Sequence, residues 1–206
     1  MSKWIGRNLG RLTLTNKRGR ESSPSSTSNL PSMLQHTKET LRFIQITEMV
    51  FNDEESLTFE SIGSFPNLRI LSLFQVNRSI YKNILLIDLP TLHQFVIVAR
   101  EEDDQTAQAA FDGWLNTVQR YSSNLTNLCL RFSDSQSPVL PSQRPDLNFD
   151  QVTSLDLGKQ CDHVGRWLAE WKWPELTDLE SNEILQRIFK EKAPKLKLSR
   201  RWRRGI

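Results

Sequence analysis

One phrase recurs along this chain in the frame L-x-x-L-x-L, and it restricts the fold more than any other feature. It stands most plainly at Leu68, Leu71 and Leu73, inside Phe65-Pro66-Asn67-Leu68-Arg69-Ile70-Leu71-Ser72-Leu73-Phe74. On a strand, residues two apart share a face, so Leu71 and Leu73 point one way and Leu68 turns in from the preceding bend. A strand this short, apolar on one side only, is not stable alone and needs a copy of itself on either side. Those copies are present at Leu9-Leu12-Leu14, Leu41-Ile44-Ile46, Leu92-Phe95-Ile97, Leu125-Leu128-Leu130 and Val152-Leu155-Leu157, with a degraded one at Leu176-Leu179-Ser181. Their first positions are 32, 27, 24, 33, 27 and 24 residues apart. Pro66, Pro90, Pro174 and Pro194 each stand two residues before a leucine. Proline cannot continue a helix and biases its predecessor towards extended chain, so it ends one element and launches the next.

The segments between the strands read as helices and loops. Pro31 to Thr40 predicts a helix start feeding the strand from Leu41, and the acidic turn 52–56 predicts another over Leu57 to Ile62. Residues 78–89 are apolar but irregular and predict burial whatever their conformation. Phe111, Trp114, Leu115, Val118 and Tyr121 form one helical stripe, with the acids Glu101 to Asp104 suited to the positive end of its dipole. Asp162 is placed to cap a helix burying Val164, Trp167, Leu168 and Trp171. Ser181 or Asn182 is placed to start a last one with Ile184, Leu185, Ile188 and Phe189 inward. Strand-helix alternation with short links predicts an α/β fold: a single curved solenoid over 1–206, parallel strands on its concave side and irregular helices on its convex side. Two polar stretches, 21–30 and 133–149, account for the two long steps as flexible loops, and 190–206 is a basic tail.

Charge is divided along the chain. Residues 1–20 hold six of the 27 Lys/Arg and no acid, while 190–206 hold eight against Glu191 alone. The body between them therefore keeps thirteen bases against twenty-three acids. Such a body is a poor surface for nucleic acid. The two cysteines, Cys129 and Cys161, supply no disulfide framework and suit a reducing compartment. The N-terminus lacks the apolar stretch of a signal peptide, and no apolar run approaches the roughly 18 residues of a membrane helix. The expectation is an intracellular protein, cytoplasmic or nuclear.

The proline-led phrase, the irregular repeat lengths and the intervening helices resemble leucine-rich repeats of the ribonuclease-inhibitor-like superfamily, whose units run to roughly 20–29 residues. Within it they are most similar to the divergent substrate-binding arrays of F-box proteins, over about residues 9–198. The resemblance implies a ubiquitin-ligase substrate receptor that joins an adaptor through a further module. Leu30-Pro31-Ser32-Met33-Leu34 echoes the opening of an F-box but leads straight into a strand. The chain is therefore expected to lack that module, which would precede Met1 in a longer form. The family's asparagine or cysteine at the ninth position is also missing: Lys17, Met49, Val76, Arg100, Ser133 and Gln160 stand there.

Chemistry-bearing frames are few. No G-x-S-x-G, Walker A, H-E-x-x-H or G-x-G-x-x-G occurs, and His36, His93 and His163 fall in different repeats. Cys161-Asp162-His163 offers two metal ligands where zinc takes three or four. The reading is a protein with no catalytic residues, no cofactor and no metal. Binding has more behind it. Residues alternating with the inward pair form a grid: Arg11/Thr13/Thr15, Phe43/Gln45/Thr47, Ile70/Ser72/Phe74, Gln94/Val96/Val98, Asn127/Cys129/Arg131, Ser154/Asp156/Gly158 and Asp178/Glu180/Asn182. Its middle is apolar (Phe43, Ile70, Phe74, Val96, Val98). Beyond Arg131 its C-terminal end is acidic (Asp156, Asp178, Glu180). An apolar patch rimmed by polar groups marks a surface for another protein. One of the long loops, or more of a longer chain, covering that patch is the competing expectation. Arginines around Trp202 could instead grip phosphates or acidic surfaces, but Pro194-Lys195-Leu196 favours a last edge strand guarded by lysines.

Overall fold

The computed structural model of the chain describes residues 9–15, 30–48, 63–76, 78–84, 87–99, 104–132, 138–143, 145–158 and 162–197. Each copy of the phrase supplies one short strand: β1 (Arg11–Thr15), β2 (Phe43–Thr47), β3 (Ile70–Phe74), β4 (Gln94–Val98), β5 (Asn127–Arg131), β6 (Ser154–Asp156) and β7 (Asp178–Glu180). They lie side by side in chain order in one sheet of seven strands, every neighbouring pair parallel. Register follows the phrase without slippage. Leu12, Ile44, Leu71, Phe95, Leu128, Leu155 and Leu179 stand opposite one another in a single row. A slip of one residue would turn every leucine outward, so one-sided burial holds the row in place.

Five helices among the described residues complete a mixed α/β fold: α1 (Leu30–Thr37), α2 (Arg78–Ile84), α3 (Asp104–Tyr121), α4 (Asp162–Leu168) and α5 (Glu183–Lys192). The inward strand residues and the apolar helix faces merge into one core. In α3 the stripe read from the sequence is buried at Phe111, Trp114, Val118 and Tyr121, with Leu115 packed at its margin. Of residues 78–89, Ile80, Tyr81, Ile87 and Leu89 are buried. Helix α4 ends at Leu168, yet Trp171 beyond it is still buried. At Gly165 even a Cβ would clash with the Leu185 side chain, so the absence of one lets α4 and α5 come together. Asn182 caps α5, its Oδ1 accepting from the Leu185 amide at 3.0 Å.

One expectation is corrected here. Ile184 is not inward: it is 51% exposed, and Gln186 is buried instead, its Nε2 donating to Ser181 O at 3.2 Å. Leu185 and Phe189, four apart, set the buried stripe of α5, and Ile184 lies about a quarter-turn round from Leu185. In the loop stretch 133–149, described at 138–143 and 145–149, Leu147 and Phe149 enter the core, where Phe149 stacks on Trp173 with ring centroids 3.8 Å apart. The helix expected over Leu57 to Ile62, loop residues 21–29 and Leu198 of the expected edge strand lie outside the described residues. So do all the ninth-position residues except the buried Val76.

Hydrogen bonds also run from one repeat to the next outside the strands. Glu48 and Gln75 end β2 and β3 with φ of 53° and 52°, and their amides reach Phe74 O and Val98 O at 2.8 and 2.7 Å. Ala99 N donates likewise to Arg131 O at 2.9 Å, and Leu157 N to Glu180 O at 2.9 Å. Where the chain leads into each strand, side chains tie adjacent repeats. Thr40 Oγ1 donates to Leu9 O (3.2 Å), Asn67 Nδ2 to Glu39 O (2.7 Å), Thr91 Oγ1 to Pro66 O (3.0 Å) and Asn124 Nδ2 to Pro90 O (2.9 Å). At the far edge Lys195 pairs with Glu175 at 2.6 Å, Leu196 is buried, and the Lys197 amide reaches Thr177 O at 3.4 Å. The ladder thus runs one step past β7.

Leu71 sits at 2% exposure in the middle of the leucine row. Leu71→Asp should cost several kcal/mol, because a carboxylate there has no partner in the core. Hydrogen exchange should show protection lost first in β3 and then in β2 and β4, since each repeat leans on its neighbours. A variant with unaltered melting would rule out this register.

Candidate interface on the open face of the sheet

The outward residues of the strands form a face of the sheet that is distinct from the helix-packed core. Its exposure is graded. Arg11, Thr13 and Thr15 at one end and Asp178 and Glu180 at the other are exposed, while Phe43, Ile70, Phe74 and Val96 are half-buried. Ser72, Val98 and Cys129 are buried, at 5%, 7% and 8% exposure. Neighbouring parallel strands are ~4.8 Å apart, so medium-sized side chains in register shield one another even where nothing lies above them. Over β3 to β6 the surface sinks into a depression of about 320 Å³. Phe74, Val96, Val98 and Cys129 give it apolar surface, Gln94, Asn127 and Ser154 line one end, and Arg131 and Asp156 wall the other.

That charged wall is tightly built. Arg131 donates Nε to Asp156 Oδ1 at 2.7 Å and Nη2 to Asp156 Oδ2 at 2.5 Å, a forked pair that fixes both planes. The same Nη2 lies 2.9 Å from Glu180 Oε1, so one guanidinium spans β5, β6 and β7. The Gly158 amide donates to Asp156 Oδ1 at 3.0 Å. Gly158 has φ +65°, and a Cβ there would come within 3.3 Å of Arg131 Cγ. Glycine at this position therefore permits both the turn and the path of the arginine stem. The hydrogen bond to Asp156 raises the Arg131 pKa, so its charge is permanent.

Cys129 lies beneath this cluster with Sγ donating to Asp156 Oδ2 at 3.5 Å. Burial raises the thiol well above its ordinary value, and the Asp156 carboxylate pushes the same way against Arg131. A nucleophilic cysteine needs the opposite environment, because the thiolate is the reactive form. The histidines are scattered: His36 and His93 are exposed, and His163 Nε2 lies 3.2 Å from Pro138 O, where it ties α4 to the 138–143 segment. Among the described residues no group of three His, Cys, Asp or Glu is arranged to hold a metal. None of their helices is long and apolar enough to cross a membrane.

Of the residues singled out from the sequence, Phe74, Val96, Val98, Arg131 and Asp156 meet in the depression. Glu180 joins them through Arg131, and Asp178 stands beside Ser154 in the register. Phe43 and Ile70 lie on the same face towards the N-terminal end, and there Arg11 covers the Phe43 ring at 4.2 Å from its centroid. Gln94, Asn127, Cys129 and Ser154 belong to the site but not to that selection. Strand alternation marks all four, and they are passed over because selection by apolarity or charge ignores neutral polar groups. Compared with protein-family models, with curated proteins and with solved structures, the chain matches none.

The raised thiol predicts alkaline sensitivity. Folded Cys129 keeps its proton to higher pH than unfolded Cys129, so its contribution to stability is complete below the ordinary thiol value of 9.0 and falls as pH rises above it. The loss is at most about 1.4 kcal/mol per pH unit for one proton. Tyr121, whose phenol is also raised by burial, acts in the same direction but equally in both proteins compared. Thermal melts from roughly pH 8 to 11 should show the unaltered chain losing stability more steeply than Cys129→Ala. Equal slopes would mean that the folded thiol is solvated.

Proposed function

We propose that this chain is a non-catalytic protein-interaction module, a leucine-rich-repeat-type solenoid whose open strand face is the concave binding surface. What carries the proposal is the depression over β3 to β6. It joins apolar side chains from three strands to a wall of fixed charge, the pairing of an anchoring pocket with an orienting rim found at protein interfaces. A partner side chain entering it displaces water from Phe74, Val96 and Val98, and Arg131, Asp156 and Glu180 set its orientation. The finer reading, substrate receptor of an F-box-type ubiquitin ligase, is supported by the resemblance of the repeated phrase. In that role the repeats select the target, and an adaptor engages a module outside them.

Capture of a partner from cell extract, with the chain's binding constant then measured on the purified partner, tests the proposal. Phe74→Ala should weaken binding roughly 30-fold if Phe74 is an anchor worth about 2 kcal/mol. Melting should change little, because Phe74 is outside the buried leucine row. Binding that survives Phe74→Ala but weakens by decades as salt rises would move the interaction to the basic ends and overturn the proposal.

A further inference from the structure

The outward side chains fall into rows across the sheet, and one row changes its chemistry from strand to strand. Ser72, Val96, Cys129, Asp156 and Glu180 stand opposite one another from β3 to β7, so the row runs from the depression straight to carboxylates. Two residues back along each strand, Gln94, Asn127, Ser154 and Asp178 make a second row that also ends on an acid. Three carboxylates thus gather on β6 and β7, and among the described outward residues of β5 to β7 the one cation is Arg131. Its guanidinium is engaged by the fork to Asp156 and by one oxygen of Glu180. Even so, the Glu180 side chain is 68% exposed, and Asp178 is exposed as well, which leaves room for a second cation. At the other end of the face the sign is opposite: Arg11 is the one charged residue among the described outward positions of β1 to β4.

A face that is apolar in the middle, acidic at one end and basic at the other selects the direction of what it binds. The complement is one large apolar side chain for the depression and a cation for the acidic end. Strand spacing fixes the distance between them. From a seat between β4 and β5, β7 is two and a half strand spacings away, roughly 12 Å. An extended chain advances roughly 3.3 Å per residue and turns every second side chain to the same side. Four residues therefore cover roughly 13 Å and return to the face. Two residues cover only roughly 7 Å and end above Asp156 and Arg131, which already satisfy each other. A helix would need about eight residues for the same reach, and its backbone groups would already be paired. The row of Gln94, Asn127 and Ser154 along the path supplies neutral side-chain donors and acceptors suited to an unpaired backbone.

We propose that the partner protein lays an extended segment across β4 to β7, with a large apolar side chain in the depression and a lysine or arginine four residues from it at Asp178 and Glu180. The inference rests on reading this face as the binding surface. Asp178 and Glu180 are two apart on one strand and share a face, so a single cation reaches both. The residue halfway along the segment is small and neutral, because the charges beneath it are already paired. Arg11 repels a cation placed at the opposite end, so the segment binds in one direction only.

Titrating the isotope-labelled full chain with synthetic peptides, followed by its amide resonances, tests this. The peptides are short runs of Ser and Gly with one Trp and one Arg placed two, four or eight residues from it, on either side. A spacing of four should bind tightest, roughly five-fold above a spacing of two, the upper range for an exposed ion pair. Resonances of Val96 and Glu180 should shift together. Glu in place of the Arg should weaken binding about ten-fold, and Asp178→Lys with Glu180→Lys should invert that preference. Both side chains are exposed, and an inverted preference is not something a damaged fold can produce. Equal binding of the Arg and Glu peptides, tightest binding at a spacing of eight, or no shift with any peptide would overturn the proposal. So would open-face resonances that move when the chain alone is diluted, which would give the face to a second copy. If the peptides fail while a captured partner still depends on Phe74, the rule of the cation is removed and the interaction surface stands.

Discussion

Parallel pairing between strands only three to five residues long is the constraint on which the molecule depends. Such a strand satisfies half its backbone groups on each side and buries one face, so neither its hydrogen bonds nor its leucines are secure without both neighbours. Register is therefore collective. The row from Leu12 to Leu179 is kept because shifting any one strand would expose its own leucines and break the bonds of the next. Ties outside the strands reinforce it. Lead-in side chains such as Asn67 and Asn124 reach back one repeat, and amides just past the strands, such as Gln75 and Ala99, reach forward one.

The same geometry produces the candidate interface. Strands in register present their outward residues as columns, so a property of single repeats becomes a property of an area. The apolar middle and the acidic end come from side chains roughly 24 to 33 residues apart in sequence yet only ~4.8 Å apart strand to strand. Arg131 converts one border of that area into a rigid wall by holding Asp156 and Glu180 together. Beneath the wall, the proton on Cys129 is retained because burial and a neighbouring carboxylate both oppose the thiolate. The face thus joins an apolar middle to a border of fixed charge.

Much of this was legible in the sequence, for physical reasons that differ between elements. Strand positions and register follow from the spacing of leucines alone, because period two and one-sided burial leave a single solution. The long helix α3 declares itself through Phe111, Trp114, Val118 and Tyr121, a stripe too regular for another conformation. Short helices are less determinate. In α5 four apolar residues compete for a face that admits two fully: Leu185 packs on Gly165 of α4 and Phe189 on Trp173, which leaves Ile184 outside. Phe149 gives no periodic signal in its polar, proline-rich surroundings. Its place is set by Trp173, a contact between repeats. The depression was half legible: alternation names its residues, but its wall depends on a guanidinium reaching from β5 to a carboxylate 25 residues on, past a glycine that leaves it room. No local pattern encodes such a reach.

Cys129 offers a direct check on the register and the open face together, because Val96 is its partner on the adjacent strand. Adjacent parallel strands bring register partners to about 4.8 Å, within the range a disulfide can close. In a Cys161→Ser background, the rate of mild oxidation should be compared among Gln94→Cys, Phe95→Cys, Val96→Cys, Ile97→Cys and Val98→Cys, with the bridge located by mass spectrometry. The account predicts that Val96→Cys closes onto Cys129 fastest, with Phe95→Cys and Ile97→Cys, which face the core, nearly inert. Fastest closure from Phe95→Cys or Ile97→Cys would put the opposite face outward and contradict the row of leucines on which everything else rests.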